Sequence, residues 1–432
     1  MNSITLTPAS HFSGEVQIPG SKSISNRVML IGALAEGENN FTGMLESDDT
    51  RYMHNALEKL GISIGSYFFY HNSPKFLRIK GKRGEFVNKD ANLFLGNSGT
   101  AMRSLAAALC IGEGEYILRG EPRMHERPIK DLVDALRSLG ANIGYLENKG
   151  FPPLRIMGHG LNGGQVSIKG NISSQFLSAL LIAAPYCKEP LEITVDGNLI
   201  SKPYVYMTIR LMEKFGIKVE NNDYKNFKVE KGIYKAQTFD IEGDASSASY
   251  FWAGAAIAQG NVVVKGISHD CLQGDVKFLD VIKEMGSELK GITVDATLFP
   301  DAAMTICPLA CYAKGKTKIT GIASWKVKET DRISAMANEL RKVGASVETG
   351  DDFIEITPPE HILPATIETY NDHRMAMCFS LLSLNSPHKN GAEITILNPA
   401  CVNKTFPDYF KLFYSLLQRP IPNKQGSQNL CL

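Results

Sequence analysis

The sequence has 432 residues, of which 44% are hydrophobic, so it is long enough to bury a large core and to form two or more domains. Lys and Arg number 46 against 45 Asp and Glu, a balance that argues against a nucleic-acid or anionic-membrane partner. No apolar run reaches the length of a membrane span, and MNSITLTPAS lacks the features of a secretory signal. We therefore expect a cytoplasmic protein whose basic sites are local.

The first notable element is PGSKSISNR (19–27), where a Pro-Gly turn leads into a predicted helix and Lys22, Ser23 and Arg27 lie near its start. A phosphate-binding P-loop is excluded, because Ser21 stands where that motif needs glycine before the lysine. Cations at a helix N-terminus oppose the helix dipole, so capping does not explain the basic cluster. An anion would interact favourably with the helix amides and with the cations. The pattern therefore predicts an anionic ligand.

Two families of segments repeat along the chain, and both point to an α/β fold. In the first, a helix is followed by a glycine suited to the left-handed residue that ends a helix, and then by the start of an apolar strand. Its members are NALEKLGISI (55–64), DALRSLGANI (134–143), LMEKFGIKV (211–219), VIKEMGSEL (281–289) and ELRKVGASV (339–347).

The second family consists of segments rich in Ala, Leu and Met around most of the helix, which indicates buried helices. They are NRVMLIGALAEG (26–37), GTAMRSLAAALCIG (99–112), SQFLSALLIAAP (174–185), SSASYFWAGAAIAQG (246–260), DAAMTICPLACYAKG (301–315) and HRMAMCFSLLSL (373–384). Strand-like runs follow most of them, namely GEYILRG (114–120), LEITVDG (191–197), NVVVKGI (261–267), KTKITGI (316–322) and AEITIL (392–397).

These helix–strand units predict two domains with three units each. Residues 21–241 would form the first domain, and residues 1–20 with 242–432 the second. Short hinges are expected near residues 20 and 241, because no linker-like composition separates the halves. The stretch 418–432 has no periodicity and is expected to be a loose tail.

Polar residues are concentrated where the buried helices begin. The groups are SKSISNR (21–27), GNSGTAMR (96–103), NISSQ (171–175), GDASSAS (243–249), FPDAAMT (299–305) and NDHRMAM (371–377). Capping accounts for Ser, Asp and Asn at any one helix start, but it does not account for Arg103 or Arg374. Several units therefore repeat the anion-binding pattern of the first.

Further basic candidates lie outside these helix starts. Arg123 and Arg127 precede Pro128, a suitable first helical residue. WKVKETDRISAM (325–336) contributes Lys328, Glu329 and Arg332, and NKTFPDYF (403–410) contributes Lys404. Together these side chains carry enough positive charge for more than one phosphate or carboxylate.

The cysteines and histidines do not indicate a metal site. The eight cysteines are scattered without C-x-x-C pairs, which argues against structural zinc and against a disulfide framework. Cys307 and Cys311 have i, i+4 spacing, but Pro308 lies between them and no histidine is near, so burial is expected. The nine histidines show no i, i+4 pairing. The sequence predicts no metal.

The motifs, taken together, resemble those of the 5-enolpyruvylshikimate-3-phosphate (EPSP) synthase family in order and along essentially the whole chain. They are PGSKSISNR, LFLGNSGTAMR, GEPRMHERP, SSQFLSALL, SKPY, GDASSASYF, PDAAMT, VKETDR, YNDHRMAM and KTFPDYF. The resemblance implies an inside-out α/β barrel fold of the enolpyruvyl transferase type, with an active site in the cleft between two domains.

The resemblance also implies a reaction. The family transfers the enolpyruvyl group of phosphoenolpyruvate to the 5-hydroxyl of shikimate 3-phosphate, in aromatic amino-acid biosynthesis, through a tetrahedral intermediate that loses phosphate. Glu329 would donate a proton to the methylene carbon, and Asp301, assisted by Lys22, would receive the hydroxyl proton. We expect a monomer that acts on these two small molecules without a metal or organic cofactor.

By the same resemblance, two sets of residues would bind the substrates. The set around shikimate 3-phosphate is Lys22, Ser23, Arg27, Ser173, Ser174, Gln175, Ser201, Tyr204, Asp301, Ser324 and Lys328. The set around phosphoenolpyruvate is Lys22, Gly99, Arg103, Arg127, Gln175, Arg332, His373, Arg374 and Lys404.

Structural alternatives stay open for three of these residues. Glu329 alone would fit an exposed helix carboxylate paired with Arg332, Asp301 would fit an N-cap, and His373 would fit a histidine satisfied at a helix start. Two alternatives also stay open for the function. One is the sibling transferase that acts on UDP-N-acetylglucosamine, whose loop cysteine EPRMHERP lacks, and the other is a non-catalytic anion-binding relative.

Two positions depart from the family pattern. Ser324 stands where Asn is common, so a backbone contact there would survive while a side-chain amide contact would not. Ser104 stands where Pro is common, in the helix that carries Gly99. The sequence therefore does not decide sensitivity to glyphosate, which competes for the phosphoenolpyruvate site in this family.

Overall fold

A computed structural model describes residues 3–67, 76–268 and 270–417, and these residues form small β-sheets covered by helices. The predicted tail at 418–432 lies outside the described residues. The helices are α1 (Lys22–Leu34), α2 (Asp48–Lys59), α3 (Gly99–Ala108), α4 (Lys130–Ser138), α5 (Ser174–Ala183), α6 (Lys202–Lys214), α7 (Ala245–Ala258), α8 (Phe278–Met285), α9 (Ile306–Tyr312), α10 (Arg332–Lys342), α11 (His373–Ser380) and α12 (Tyr409–Leu416).

The strands are short and lie between these helices. They are β1 (Ser3–Leu6), β2 (Gly14–Gln17), β3 (Glu36–Thr42), β4 (Ser63–Tyr67), β5 (Phe76–Lys82), β6 (Asp90–Phe94), β7 (Glu113–Arg119), β8 (Asn142–Tyr145), β9 (Leu154–His159), β10 (Gly164–Lys169), β11 (Leu191–Asp196), β12 (Val219–Asn222), β13 (Asn226–Val229), β14 (Thr238–Asp240), β15 (Val262–Lys265), β16 (Thr293–Asp295), β17 (Thr317–Thr320), β18 (Ser346–Thr349), β19 (Phe353–Thr357), β20 (Ala365–Ile367) and β21 (Ile394–Leu397).

Four of the sheets in the described residues repeat one topology. In the sheet β6-β7-β9-β8, a parallel pair is followed by two antiparallel neighbours, with Asp90 opposite Glu115 at one end of the parallel pair. The sheets β14-β3-β5-β4, β10-β11-β13-β12 and β16-β17-β19-β18 have the same order. Two smaller sheets, β15-β2 and β1-β21-β20, complete the set in the described residues. The described residues thus form six sheets, one for each predicted helix–strand unit, and the six units are confirmed.

The predicted helix ends are confirmed at all five repeat glycines. Their φ angles are positive, at Gly61 (82°), Gly140 (95°), Gly216 (86°), Gly286 (70°) and Gly344 (93°). Of the strands predicted directly after these glycines, only the one after Gly286 is wrong. Residues 287–289 form turns, and Leu289 itself has a positive φ of 51°, so the chain reaches β16 only at Thr293.

Three helix starts differ from the predicted positions. Helix α1 begins at Lys22, because the Oγ of Ser21 accepts a hydrogen bond from the N–H of Ile24 at 3.4 Å and caps the helix there. Helix α4 begins after Pro128 at Lys130, since the preceding residues 122–126 form a separate 3-10 turn. Helix α9 follows another 3-10 turn, which places Pro308 in its first turn, where the missing N–H needs no partner.

The buried apolar residues form two clusters. One extends from Ile24 to Ile241, and the other joins Leu6–Ile18 with Ala248–Leu417. Cys307 and Cys311 are buried in the second cluster, as predicted. Among the described residues, no helix is both long and apolar enough to cross a membrane.

The chain passes twice between these clusters, and the two passages lie side by side. Gly20 bridges Gly243, the N–H of Ser21 donates to the carbonyl of Glu242 at 2.8 Å, and the N–H of Asp244 donates to the carbonyl of Pro19 at 2.9 Å. A Cβ atom on Gly20 would lie 1.8 Å from the carbonyl oxygen of Gly43. The crossing therefore requires glycine at this position.

We expect Gly20→Ala to lower the free energy of unfolding by about 1–3 kcal/mol, because the backbone around Gly43 would have to move. Urea unfolding of the purified variant measures the change. Gly144→Ala is the matched control, since a Cβ there would meet nothing within 4 Å. Equal stability of the Gly20 variant and the wild type would contradict the close crossing.

Candidate functional site

The N-terminal ends of the buried helices surround one cleft between the two apolar clusters. Nearly every residue that the sequence predicted for the site lines this cleft. They are Lys22, Ser23, Arg27, Gly99, Arg103, Arg127, Ser173, Ser174, Gln175, Ser201, Tyr204, Asp301, Ser324, Lys328, Glu329, Arg332, His373 and Arg374. The basic side chains outnumber the acidic ones, so the cleft favours anionic ligands.

Lys404 does not line the cleft itself but lies directly behind it. Its Nζ donates to the carbonyl of Asn97 at 2.7 Å and lies 3.2 Å from Oδ1 of Asp49 and 3.6 Å from Oε1 of Glu329. Asn97 and Asp49 lie within the stretch 24–241 that carries the first apolar cluster, whereas Lys404 and Glu329 lie in the stretch that carries the second. One ammonium group therefore connects both halves next to the site.

Arg27 extends from the first turns of α1 into the cleft. Its Nε donates to Oγ1 of Thr208 at 2.8 Å, and its Nη1 donates to the carbonyl of Ser23 at 2.9 Å. Burial lowers the pKa of Arg27 to about 10, against a small opposing effect of Tyr204. The guanidinium is still charged at neutral pH and is held in a fixed orientation.

Glycine at the start of α3 allows a second arginine to approach the helix amides. Arg127 donates from Nη1 to the carbonyl and to Oδ1 of Asn97, at 2.9 and 2.8 Å. A Cβ on Gly99 would lie 2.6 Å from Nη2 of Arg127 and 3.1 Å from Oε1 of Gln175. A helix N-terminus and a guanidinium therefore share one small region, an arrangement suited to phosphate or carboxylate.

Arg332 is the most highly connected charge in the cleft. Only 1% of it is exposed, and it contacts three carboxylates. Its Nε lies 2.7 Å from Oδ2 of Asp372, its Nη2 lies 2.7 Å from Oε2 of Glu329, and its Nη1 lies 3.2 Å from Oδ1 of Asp301. Burial lowers the pKa of Arg332, but the three carboxylates together raise it above its ordinary value. We call these four residues the Arg332 cluster.

The surroundings keep both candidate catalytic carboxylates ionised. Burial alone would raise the pKa of Glu329, but Arg332, Lys404 and Arg127 hold it well below its usual range. Burial would likewise raise the pKa of Asp301, whereas Lys328 and three further cations hold it well below its usual range.

The alternatives for Glu329 and Asp301 are wrong in part. Glu329 does pair with Arg332, but it is 7% exposed and precedes α10 instead of lying on a helix surface. Asp301 occupies the N-cap position of a 3-10 turn, yet its side chain makes no capping hydrogen bond. Its oxygens instead lie near Lys328 and Tyr204, at 3.4 and 3.0 Å.

The histidine alternative is also wrong, because His373 is not satisfied by its surroundings. The ring is 1% exposed, and neither nitrogen has a hydrogen-bond partner among the described residues. Burial and then Arg374 lower the pKa of His373 well below its ordinary value, so the ring is neutral at pH 7. Arg374 beside it donates to Oγ of Ser246 at 3.0 Å and lies 3.4 Å from Asp301.

Sequence reasoning missed three buried carboxylates, Asp49, Asp275 and Asp372. Asp372 caps α11 by accepting from the N–H of Arg374 at 2.9 Å and also binds Arg332. Asp275 lies next to Tyr204, and Asp49 lies behind Lys22 and Lys404. Charge balance could have indicated them, because so many buried cations need nearby anions.

A helix-lined cleft with clustered cations and two ionised carboxylates defines an enzyme that binds anions and moves protons, built on repeated α/β units. The family model for EPSP synthase (3-phosphoshikimate 1-carboxyvinyltransferase) matches residues 6–413. The chain belongs to this family, so the predicted fold class and enolpyruvyl transferase activity are confirmed.

Individual relatives agree with the family match. The 3-phosphoshikimate 1-carboxyvinyltransferase of Marinomonas sp. (strain MWYL1) is 52% identical and covers 96% of this chain and 100% of its own. The enzyme of that name from Vibrio cholerae (strain M66-2) is 50% identical over the same shares. A solved EPSP synthase structure from Acinetobacter baumannii superposes with a TM-score of 0.79 at 26% identity, covering 96% of this chain and 98% of the other.

Nothing in the described part of the chain groups three or more His, Cys, Asp or Glu side chains in a way that could hold a metal ion. The absence of a cofactor stays a prediction.

We expect Asp372→Asn to lower the free energy of unfolding by about 3 kcal/mol, at the low end for a broken buried ion pair, because Glu329 and Asp301 still face Arg332. The amide oxygen of the variant side chain can still cap α11, so the decrease in stability measures the effect of removing the negative charge of Asp372. Asp351→Asn, at a fully exposed side chain, should leave stability almost unchanged. Urea unfolding compares the two, and equal effects would mean that the Arg332 cluster does not stabilise the fold.

Proposed function

We propose that the residues of this cleft carry out the family reaction, enolpyruvyl transfer from phosphoenolpyruvate to the 5-hydroxyl of shikimate 3-phosphate. The observation that carries the proposal is the Arg332 cluster, because one guanidinium holds Glu329 and Asp301 on two of its nitrogens, at 2.7 and 3.2 Å. The reaction needs one group that donates a proton to carbon and another that accepts a proton from oxygen. Two carboxyl groups held near each other suit that pair of tasks.

Shikimate 3-phosphate binds, in this proposal, along the side formed by α1, α5 and α6. Arg27 offers a fixed guanidinium, and the N-terminus of α5 lines the same part of the cleft, where its dipole favours phosphate. Lys328 and Asp301 face this side from the other half of the chain. The full proposed set is Lys22, Ser23, Arg27, Ser173, Ser174, Gln175, Ser201, Tyr204, Asp301, Ser324 and Lys328.

Phosphoenolpyruvate carries a phosphate and a carboxylate, and we propose that it lies between the start of α3 and the start of α11. Its proposed contacts are Lys22, Gly99, Arg103, Arg127, Gln175, Arg332, His373, Arg374 and Lys404. Arg332 is already shared among three carboxylates, so we expect it to act mainly by orienting Glu329 and Asp301. Nδ1 of His373 lies 3.5 Å from Oδ1 of Asp372, whereas Nε2 has no hydrogen-bond partner among the described residues and remains available to a bound anion.

The two carboxyl groups then have separate tasks. Glu329 donates a proton to the methylene carbon of phosphoenolpyruvate while Asp301, assisted by Lys22, takes the proton of the attacking 5-hydroxyl. The carbon–oxygen bond forms at the adjacent carbon and gives a tetrahedral intermediate. This intermediate expels phosphate, which takes the proton held by Asp301, while the new methyl group returns a proton to Glu329 and the carbon–carbon double bond forms again. Positioned arginines stabilise the charge on the departing phosphate.

Glu329 must be protonated to act as an acid, although it is ionised among its cations. The substrate itself can supply the change. When its phosphate and carboxylate bind near Arg127 and Lys404, they offset the positive charges that stabilise the Glu329 carboxylate. Binding of phosphoenolpyruvate should therefore raise the pKa of Glu329 and draw a proton onto it.

The test is phosphate release by the purified protein from phosphoenolpyruvate, with shikimate 3-phosphate in one reaction and UDP-N-acetylglucosamine in another. Release that requires shikimate 3-phosphate supports the proposal. Release only with the nucleotide sugar would instead favour the sibling transferase, and no release from a folded, ligand-binding sample would favour a non-catalytic relative.

Glu329→Gln should lower kcat at least about 100-fold, because glutamine cannot donate a proton, while KM for both substrates changes little. The same phosphate assay measures the loss. Glu360→Gln, whose side chain is 93% exposed, is the matched control and should keep wild-type turnover. Near-normal turnover of the Glu329 variant would exclude its role as the acid.

Three further parts of the account are proposals. The division into 21–241 and 1–20 with 242–432 is supported by the two apolar clusters, and limited proteolysis can test it. A monomer is also proposed, and light scattering can test it. The cytoplasmic location stays a prediction.

A further inference from the structure

Asp275 is a buried carboxyl group that the family resemblance did not single out. Its Oδ1 accepts a hydrogen bond from the backbone N–H of Ala302 at 2.9 Å, and its Oδ2 lies 3.1 Å from the hydroxyl oxygen of Tyr204. The same hydroxyl oxygen lies 3.0 Å from Oδ2 of Asp301. One phenol therefore stands between two buried carboxyl groups.

This arrangement restricts the number of protons. A phenol hydroxyl has one hydrogen and donates one hydrogen bond at a time. If Asp275 and Asp301 were both ionised, one of their short contacts to Tyr204 would join two acceptors without a hydrogen between them. One of the carboxyl groups must therefore carry a proton and donate it to the Tyr204 oxygen.

The neighbouring charges decide which carboxyl group is protonated. Asp301 lies 3.2–3.4 Å from three cations, Lys328, Arg332 and Arg374, which stabilise its ionised form. Among the described residues, no Lys, Arg or His forms an ion pair with Asp275. The proton therefore belongs on Asp275.

The groups that face Asp275 from the elements around it lead to the same assignment. Burial and then Asp301, which precedes α9, raise its pKa to about 7. Arg374 of α11 opposes them, Asp244 before α7 adds a like charge, and the Ala302 amide opposes weakly.

We propose that Asp275 is a positioning residue: as a neutral acid it donates to Tyr204 and thereby keeps the Tyr204 hydrogen on the Asp301 carboxylate. Asp301 is then fixed in its ionised form, ready to accept one proton from a substrate hydroxyl. Asp275 and Tyr204 keep their own protons throughout. The inference rests on the proposed role of Asp301 as the proton acceptor.

Asp275→Asn mimics the neutral acid. Its amide oxygen can accept from the Ala302 N–H, which leaves the amide NH₂ facing Tyr204 as a donor, but the side chain cannot ionise. Asp275→Ala removes both contacts. Above a pH of about 7, the wild-type Asp275 would ionise and compete with Asp301 for the single Tyr204 hydrogen. Turnover should therefore fall with Asp275→Ala and be rescued by Asp275→Asn.

We expect Asp275→Ala to lower kcat about tenfold or more, with KM changed less than about threefold, because a misoriented acceptor affects the reacting step more than binding. At pH 6, the kcat of Asp275→Asn should be close to that of the wild type. Above about pH 7, the kcat of the wild type should decline as Asp275 ionises, whereas the kcat of Asp275→Asn should not. Asp280→Asn, exposed on helix α8 directly after the 3-10 turn that carries Asp275, is the control and should keep the wild-type pH profile.

Thermal stability gives a second measurement that does not depend on turnover. An unfolded aspartate has a pKa of about 4. Between that pH and the raised pKa of Asp275, the folded protein therefore binds one proton more than the unfolded chain. The stability that this proton provides is present at low pH and is lost as the pH rises towards about 7. Because Asn cannot ionise, the melting temperature of Asp275→Asn relative to wild type should rise between pH 5 and pH 8.

Two results would overturn the inference. One is a melting-temperature difference that stays constant with pH, and the other is an Asn variant as inactive as the Ala variant at pH 6. Asp301→Asn, measured in parallel, separates the two proposals. Wild-type turnover of that variant would remove the role of Asp301 as the acceptor, whereas the melting temperatures test the proton on Asp275 independently.

Discussion

One buried guanidinium, that of Arg332, organises the site. An arginine that is 1% exposed needs full compensation of its charge, and it finds this in Asp372, Glu329 and Asp301. These carboxylates come from the start of α11, from the segment before α10 and from the turn before α9. Satisfying one charge therefore fixes three segments of the chain and sets the distance between the two carboxyl groups that the reaction uses.

The same principle extends across the cleft, where the protein brings cations to helix N-termini that would repel them. The protein carboxylates compensate these cations in the absence of anions: Asp49 lies near Lys22 and Lys404, and Glu329 lies near Lys404. Substrate phosphate and carboxylate can take over part of this compensation. A ligand that displaces such pairing changes the proton affinity of the groups it releases, which connects binding directly to acid catalysis.

Much of the fold could be predicted from the sequence because it is carried by local signals. Glycine at the helix ends, Ala- and Leu-rich buried helices and the spacing of the units are all encoded within a few residues of each other. The exception after Gly286 falls in the unit whose sheet, β15-β2, has only two strands in the described residues, whereas the units of the other repeat glycines have an antiparallel strand at this point. No local pattern reveals that difference. Some helices begin at other residues than the apolar pattern predicted. At α1, for example, Ser21 caps the helix several residues before the apolar pattern begins.

The site was predictable where motifs carry it and not where charges are balanced through space. Lys22, Arg27 and Arg374 stand out because cations at helix starts are unfavourable without a ligand. Asp275 and Asp49 do not stand out, since an aspartate near a helix start has an ordinary explanation as a cap or first-turn residue. Their importance appears only when Tyr204, Lys404 and Asp301 are brought beside them by distant parts of the chain.

The central claim is that bound phosphoenolpyruvate offsets the cations around Glu329 and so protonates it. Calorimetry at pH 7, in two buffers with different ionisation enthalpies, counts the protons taken up when phosphoenolpyruvate binds in the presence of shikimate 3-phosphate. The titrated protein carries Asp301→Asn, which slows turnover during the measurement. The reference protein carries both Asp301→Asn and Glu329→Gln. The account predicts that the single variant takes up about one more proton per site than the double variant. Equal uptake by the two proteins would contradict it.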